Sequence, residues 1–228
     1  MSFDNPKRKT ARRRERRPAK RLDPARMEEL ALAYVARFAT SANKLRQYLL
    51  RKLRERGFAE DAAESWLPDD TTDADATAEK GRDHADRIVQ QFVEKGYVDD
   101  DLYAKTRASS LLSRGYGARR IEATLRHDGI AEDLRQSHAP EEAAAREAAL
   151  ALAKKRRFGP YSRAALGADE EAPENEREFA VWQEQQKLRE KQLAAMLRAG
   201  HDFGAAKSVI DAPSIAAAER WAAGDDDD

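Results

Sequence analysis

The chain has 228 residues, 42 Lys and Arg against 42 Asp and Glu, no Cys, and 44 Ala, about one residue in five. Scarce β-branched and aromatic residues exclude a β-rich fold, and this much alanine excludes one large round core, because Ala buries little area. The absence of Cys removes disulfides, thiolate metal sites and thiol nucleophiles together.

The zero net charge is unevenly distributed. Residues 1–26 carry 11 bases and 3 acids, so the remainder is net −8. Lys7, Arg8, Lys9, Arg12, Arg13, Arg14, Arg16 and Arg17, followed by Pro18, lack the apolar residues needed to fold. They predict a disordered basic arm over 1–26, suited to weak, non-specific DNA contact. No apolar region follows the arm, so it does not read as a secretory signal. No run approaches the roughly 18 apolar residues of a membrane span. The expectation is a cytoplasmic protein.

Short amphipathic helices follow. Leu30, Tyr34 and Phe38 mark the first; Ser41 caps the second, with Leu45, Tyr48, Leu49 and Leu53; Gly57-Phe58 stops it. An acidic insert, 67–79, precedes a third helix with Ile88, Val89, Phe92 and Val93, stopped at Gly96-Tyr97. Asp99 or Asp100 caps a fourth, with Leu102, Tyr103, Leu111 and Leu112. After Gly115-Tyr116-Gly117 comes a fifth, with Ile121 and Leu125, stopped at Gly129-Ile130; a short sixth holds Leu134. A seventh spans about 141–157, and a second acidic insert covers 159–178. The eighth carries Leu188, Leu193, Met196 and Leu197 and stops at Gly200-His201; the ninth carries Phe203, Ala206, Val209 and Ile210. A weak segment with Ile215 and Trp221 leads to the acidic end, Asp225 to Asp228.

Most of these stops pair Gly with an apolar residue, the signature of a left-handed C′ residue whose successor packs back on the last turn. Their recurrence predicts an all-α fold of three tandem three-helix, helix-turn-helix-like repeats in an elongated, curved rod. The expected boundaries are 27–98, 99–139 and 140–212, with 213–228 as a C-terminal tail. The second helix of each repeat is basic: net +5 over 42–58, +3 over 114–127 and +3 over 187–198. A basic helix after a tight corner suits DNA phosphates or an acidic protein surface. The contact candidates are Arg46, Arg51, Arg54, Tyr116, Arg119, Arg120 and Arg126.

No catalytic constellation stands out. His84, His127, His138 and His201 are scattered without metal-ligand spacing and read as solvated helix surface. Asp99-Asp100-Asp101 lacks the spaced ligands of a calcium loop and reads as a cap. Gly115-x-Gly117 could open a phosphate site, but a helix corner explains it better. There is no Walker sequence. Tyr97 and Tyr103 read as core; Tyr116 is left open between core and surface. No catalytic residue, cofactor or metal is expected.

Gly96-Tyr97-Val98-Asp99-Asp100 with Tyr103-Ala104, then Gly115-Tyr116-Gly117, Arg120-Ile121, Leu125 and Gly129-Ile130, resembles the RecX family of bacterial regulators of recombination and DNA repair. Leu45, Leu49, Leu53 and Gly57-Phe58 fit too, as does the stretch from 193 to 210. The resemblance covers about 28–211 and implies three helical repeats and a non-enzymatic protein; a monomer is expected. It further implies binding along the groove of the RecA recombinase filament, inhibiting filament extension, ATP hydrolysis and strand exchange. It supplies no residue-by-residue contacts. The alternative is a stand-alone helix-turn-helix DNA-binding regulator.

Overall fold

Short polar side chains set five of the helix starts by accepting an otherwise unpaired backbone N–H. Asp23 caps α1 (Pro24–Val35), Ser41 caps α2 (Ala42–Arg56) and Asp99 caps α4 (Asp100–Leu112). Asp202 caps α9 (Phe203–Ile210) and Ser214 caps α10 (Ile215–Ala223). The remaining helices are α3 (Ala74–Glu94), α5 (Ala118–His127), α6 (Glu132–Ser137), α7 (Glu142–Arg156) and α8 (Glu176–Arg198). The structure is a computed structural model that describes residues 20–66, 74–162 and 176–225. Among them the fold is all-α; the one β pairing is an isolated bridge between Leu22 and Phe58.

The apolar residues gather into three clusters, each drawn mainly from consecutive helices. Met27, Leu45, Leu49, Ile88 and Phe92 unite α1 to α3. Ala104, Leu111, Ile121 and Leu125 unite α4 and α5, with Leu134 of α6 packed against them. Leu152, Leu193, Met196 and Val209 unite α7 to α9. Fully buried alanines (Ala31, Ala85, Ala104, Ala149, Ala153 and Ala206) bring the helices close together.

Two junctions join the clusters: the start of α2 sits on the end of α5, and the start of α5 on the end of α8. At the first, Ser41 Oγ donates to the Asp128 carbonyl at 2.6 Å, and the Ala42 N–H donates to Asp100 Oδ1 at 2.8 Å. Tyr103 bridges the junction, accepting from Lys44 Nζ and donating to Asp128 Oδ2, each at 2.7 Å. Asp128 is buried and also lies 2.8 Å from Lys44 Nζ, so its desolvation is offset by pairing. At the second, Gly117 N–H donates to the Ala199 carbonyl at 2.9 Å, and Arg119 N–H to the Gly200 carbonyl at 3.1 Å. His201 Nε2 meets the Gly115 carbonyl at 3.0 Å. Gly117 has an ordinary φ of −81°, so its lack of a side chain serves space alone. A Cβ there would collide with the Gly200 backbone.

Several expectations need correction. The arm assigned to 1–26 is ordered from residue 20: Leu22 is buried, donates to the Gly57 carbonyl at 3.0 Å and accepts from Ala59. Lys7, Arg8, Lys9, Arg12, Arg13, Arg14, Arg16 and Arg17 lie outside the described residues. The insert read as a loop over 67–79 is helical from Ala74, because apolar packing by Ala85, Ile88 and Phe92 anchors a helix that runs back past the acidic residues. Of the insert 159–178, Gly159–Tyr161 forms a 3-10 turn and α8 starts at Glu176; 163–175 lie outside the described residues. The tail 213–228 contains α10, which packs on α7 and buries Ala218 and Ala222. Tyr97 is 55% exposed, resting edge-on against Phe92 at 5.4 Å. His201 is buried, not solvated. It takes the C″ place after Gly200, its N–H bonding the Met196 carbonyl at 3.2 Å, while Phe203 stays exposed.

Gly117→Ala should cost about 1–3 kcal/mol through overpacking at the second junction, read as a lower urea midpoint. Burial pushes the His201 imidazole below its ordinary value of about 6.5, outweighing its bond to Gly115 and the nearby Asp202. The unfolded chain therefore protonates first, so this contribution is complete above about pH 6.5 and is lost progressively as pH falls from there through the lower value of the folded state. Burial lowers His84 in the same sense. His201→Gln should flatten, but not abolish, the fall in urea midpoint between about pH 7.5 and 5.5.

Candidate partner-binding groove

Helix α2 has two working faces. Leu45 and Leu49 point into the first cluster and are fully buried. Lys44, Gln47, Tyr48, Arg51 and Arg54 recur at helical spacing on another face and line an 810 Å³ groove. One wall is the end of α1 and the turn after it, with Tyr34 and Phe38; the other is the start of α3, with Thr77, Ala78 and Arg82. Leu50, Leu53 and Phe58 add apolar lining. Gly81 lets α3 approach, since a Cβ there would lie 3.0 Å from Phe58 Cβ.

The groove combines aromatic surface with positive charge. Tyr34 stacks on Tyr48 with centroids 4.3 Å apart and touches Phe38 at 5.3 Å. Phe38 is 55% exposed. The Arg51 guanidinium lies 5.6 Å from the Tyr48 ring centre. Lys44, Arg51, Arg54 and Arg82 line the groove, and among the described residues no carboxylate does. Lys44 is already engaged. Partial burial pulls its pKa down, but its hydrogen bonds to Asp128 and Tyr103 outweigh that and hold it above the ordinary lysine range. Arg51 reaches Glu55 only at 3.9 Å. Arg54 and Arg82 have no ion pair among the described residues. Planar guanidiniums beside an open aromatic surface suit carboxylates carried next to an apolar anchor.

The structure sorts the candidates from the sequence. Arg51 and Arg54 meet in the groove. Arg46 does not: it grips Asp86 of α3 through Nε at 2.6 Å and Nη2 at 3.0 Å. Tyr116 and Arg120 come together at the second junction, with the guanidinium 6.0 Å from the ring centre, and Arg119 is exposed beside them. Arg126 pairs with Glu122 at 2.7 Å near the other end of α5. Gly115 and Gly117 face Leu152 and Gly200, so protein fills the space where a phosphate would sit. Sequence reasoning missed Tyr34, Phe38, Tyr48 and Arg82 as groove residues. The first three stood in apolar stripes that read as core, and nothing local marked Arg82. Asp99 caps α4, leaving Asp100 to accept from Ala42 across the first junction.

Among the described residues no cluster of His, Cys, Asp and Glu could hold a metal, and no helix is long and apolar enough to cross a membrane. His127 is exposed, and His138 bonds Asp101 at 2.7 Å.

Residues 99–137 match the family model of the second three-helix domain of RecX. The chain is also 29% identical over 203 residues to the Regulatory protein RecX of Myxococcus xanthus (strain DK1622), covering 86% of this chain and 89% of that relative.

Arg54→Glu and Arg82→Glu remove no ion pair and no core contact among the described residues. Each should change unfolding free energy by less than about 0.5 kcal/mol, with far-UV circular dichroism unchanged.

Proposed function

We propose, from two matches that support the RecX family, that the chain is a non-enzymatic regulator of the RecA recombinase. It binds the RecA–DNA filament and inhibits its extension, ATP hydrolysis and strand exchange. The observation that carries the reading to specific residues is the α2 groove, where Arg51, Arg54 and Arg82 border an open aromatic cluster. A protein surface that presents carboxylates beside an apolar side chain would fill it. The exposed Arg119, with Arg120 and Tyr116, offers a second contact at the junction of the second and third clusters. The repeat boundaries 27–98, 99–139 and 140–212 belong to the same proposal. Their support is the pair of equivalent junctions, which makes the three second helices a head-to-tail series. Such a series suits contact with successive subunits of a filament. The protein would act in the cytoplasm, as a monomer at working concentration, and the basic arm would add weak, non-specific DNA contact.

The alternative, a stand-alone helix-turn-helix DNA-binding protein, meets a geometric objection. A recognition helix offers its N-terminal residues to base edges. Here the start of α2 is tied to Asp100 and Asp128, and the start of α5 to Ala199 and Gly200. Both helix starts are occupied by protein.

Adding the full chain to RecA assembled on single-stranded DNA should lower ATP hydrolysis and shorten filaments. The Arg51→Glu/Arg54→Glu variant should need at least about tenfold more protein, since like charge in an interface costs several kcal/mol. Deleting residues 1–19 should reduce the salt dependence of DNA binding and leave the ATPase effect in place. Unchanged hydrolysis and filament length with the full chain at micromolar concentration would overturn the proposal.

A further inference from the structure

The groove has a chemical counterpart on the same chain. Helix α8 has 23 residues, and Leu193 and Met196, in its second half, carry its packing into the third cluster. Within its first three turns, roughly 16 Å of helix, three apolar side chains face solvent. Phe179 is 48% exposed, Trp182 40% and Val181 53%. The rings of Phe179 and Trp182 stack on one another at 5.9 Å. This end of the helix is acidic: residues 176–186 hold three Glu against one Arg. The chain thus carries an acidic helix end with an aromatic anchor and a cationic groove with aromatic lining. Among the described residues, none of α8 lines the groove of its own chain.

We infer that the acidic, aromatic start of α8 docks in the α2 groove of a second copy, making a head-to-tail contact between chains. Phe179 and Trp182 lie against Phe38 and Tyr48, and Glu184 faces Arg54 and Arg82. A helix laid in an apolar groove with charges at its margins is a recurrent mode of recognition. The contact is heterologous, so each added copy leaves one groove and one helix end open, and assembly does not stop at a dimer. Its strength follows from its size. Two aromatic anchors bury about 150–250 Å² each, well under the roughly 1,000 Å² of a stable interface. The chain is therefore monomeric at low micromolar concentration and associates as concentration rises, less so at high salt.

Sedimentation equilibrium of the full chain tests this. The expected result is an average mass that climbs with concentration into the several-hundred-micromolar range without a plateau at twice the monomer. Trp182→Ala and Arg54→Glu/Arg82→Glu should each remain monomeric there, with unchanged circular dichroism, because these side chains lie outside the core. Mixing the two variants should produce a one-to-one dimer and nothing larger, since only one intact helix end and one intact groove remain between them. A wild-type chain that stays monomeric throughout would overturn the contact. If Trp182→Ala then also lost the effect on recombinase ATPase, the helix end would be an anchor for that partner instead. A plateau at the dimer, Trp182→Ala associating like wild type, or a variant mixture that stays monomeric would each overturn it as well.

Discussion

The structure depends on how closely two backbones can approach where one second helix begins and the next one ends. At the second junction Gly117 lies against Gly200 and Gly200 against the Arg120 backbone, and at the first Asn43 lies against Gly129. At that separation backbone N–H groups and a serine hydroxyl reach carbonyls of the corner directly. The glycines do two jobs in one place. Gly129 and Gly200 have φ of +79° and +95°, which ends their helices in the left-handed region, and their bare surfaces receive the neighbouring cluster. Helix termination and assembly of the clusters are thus one event.

Polar groups reinforce these corners because an Ala-rich core cannot hold them alone. Asp128, Lys44 and Tyr103 form a chain of hydrogen bonds across the first junction, with Arg107 3.7 Å from Asp128. At the second, the buried His201 fills the corresponding place. Where α2 ends, the described residues hold no further cluster to receive. Its corner is covered by the segment before α1, with Leu22 pairing on Gly57 and Ala59 as Arg119 pairs on Gly200. The chain closes that end of the series with its own backbone and leaves the adjoining groove open.

Much of this was legible locally. Caps at Ser41 and Asp99, the apolar stripe of α2 and the Gly stops at 57, 96, 129 and 200 follow from rules that act within one or two turns. The candidate site was legible only in part. Arg51 and Arg54 were found from the basic face of α2, but so was Arg46, which Asp86 ties down from 40 residues away. Tyr34 and Tyr48 read as core because helical spacing gives the same pattern for a buried stripe and a groove wall. Tyr97 and His201 exchanged their expected environments, because a corner's geometry decides which of its side chains faces a neighbouring element.

By itself the sequence determined the all-α class and most helix limits, since periodicity, caps and stops are short-range properties of the chain. It also carried the motif series that resembles RecX. The tertiary structure alone decided which charges are spent and which remain available. Lys44 meets Asp128 across 84 residues and Arg46 meets Asp86 across 40, whereas Arg54 and Arg82, brought to one groove from two helices, meet no carboxylate among the described residues. Pairing depends on distance in space, and one second helix looks as basic as another until its neighbours are in place.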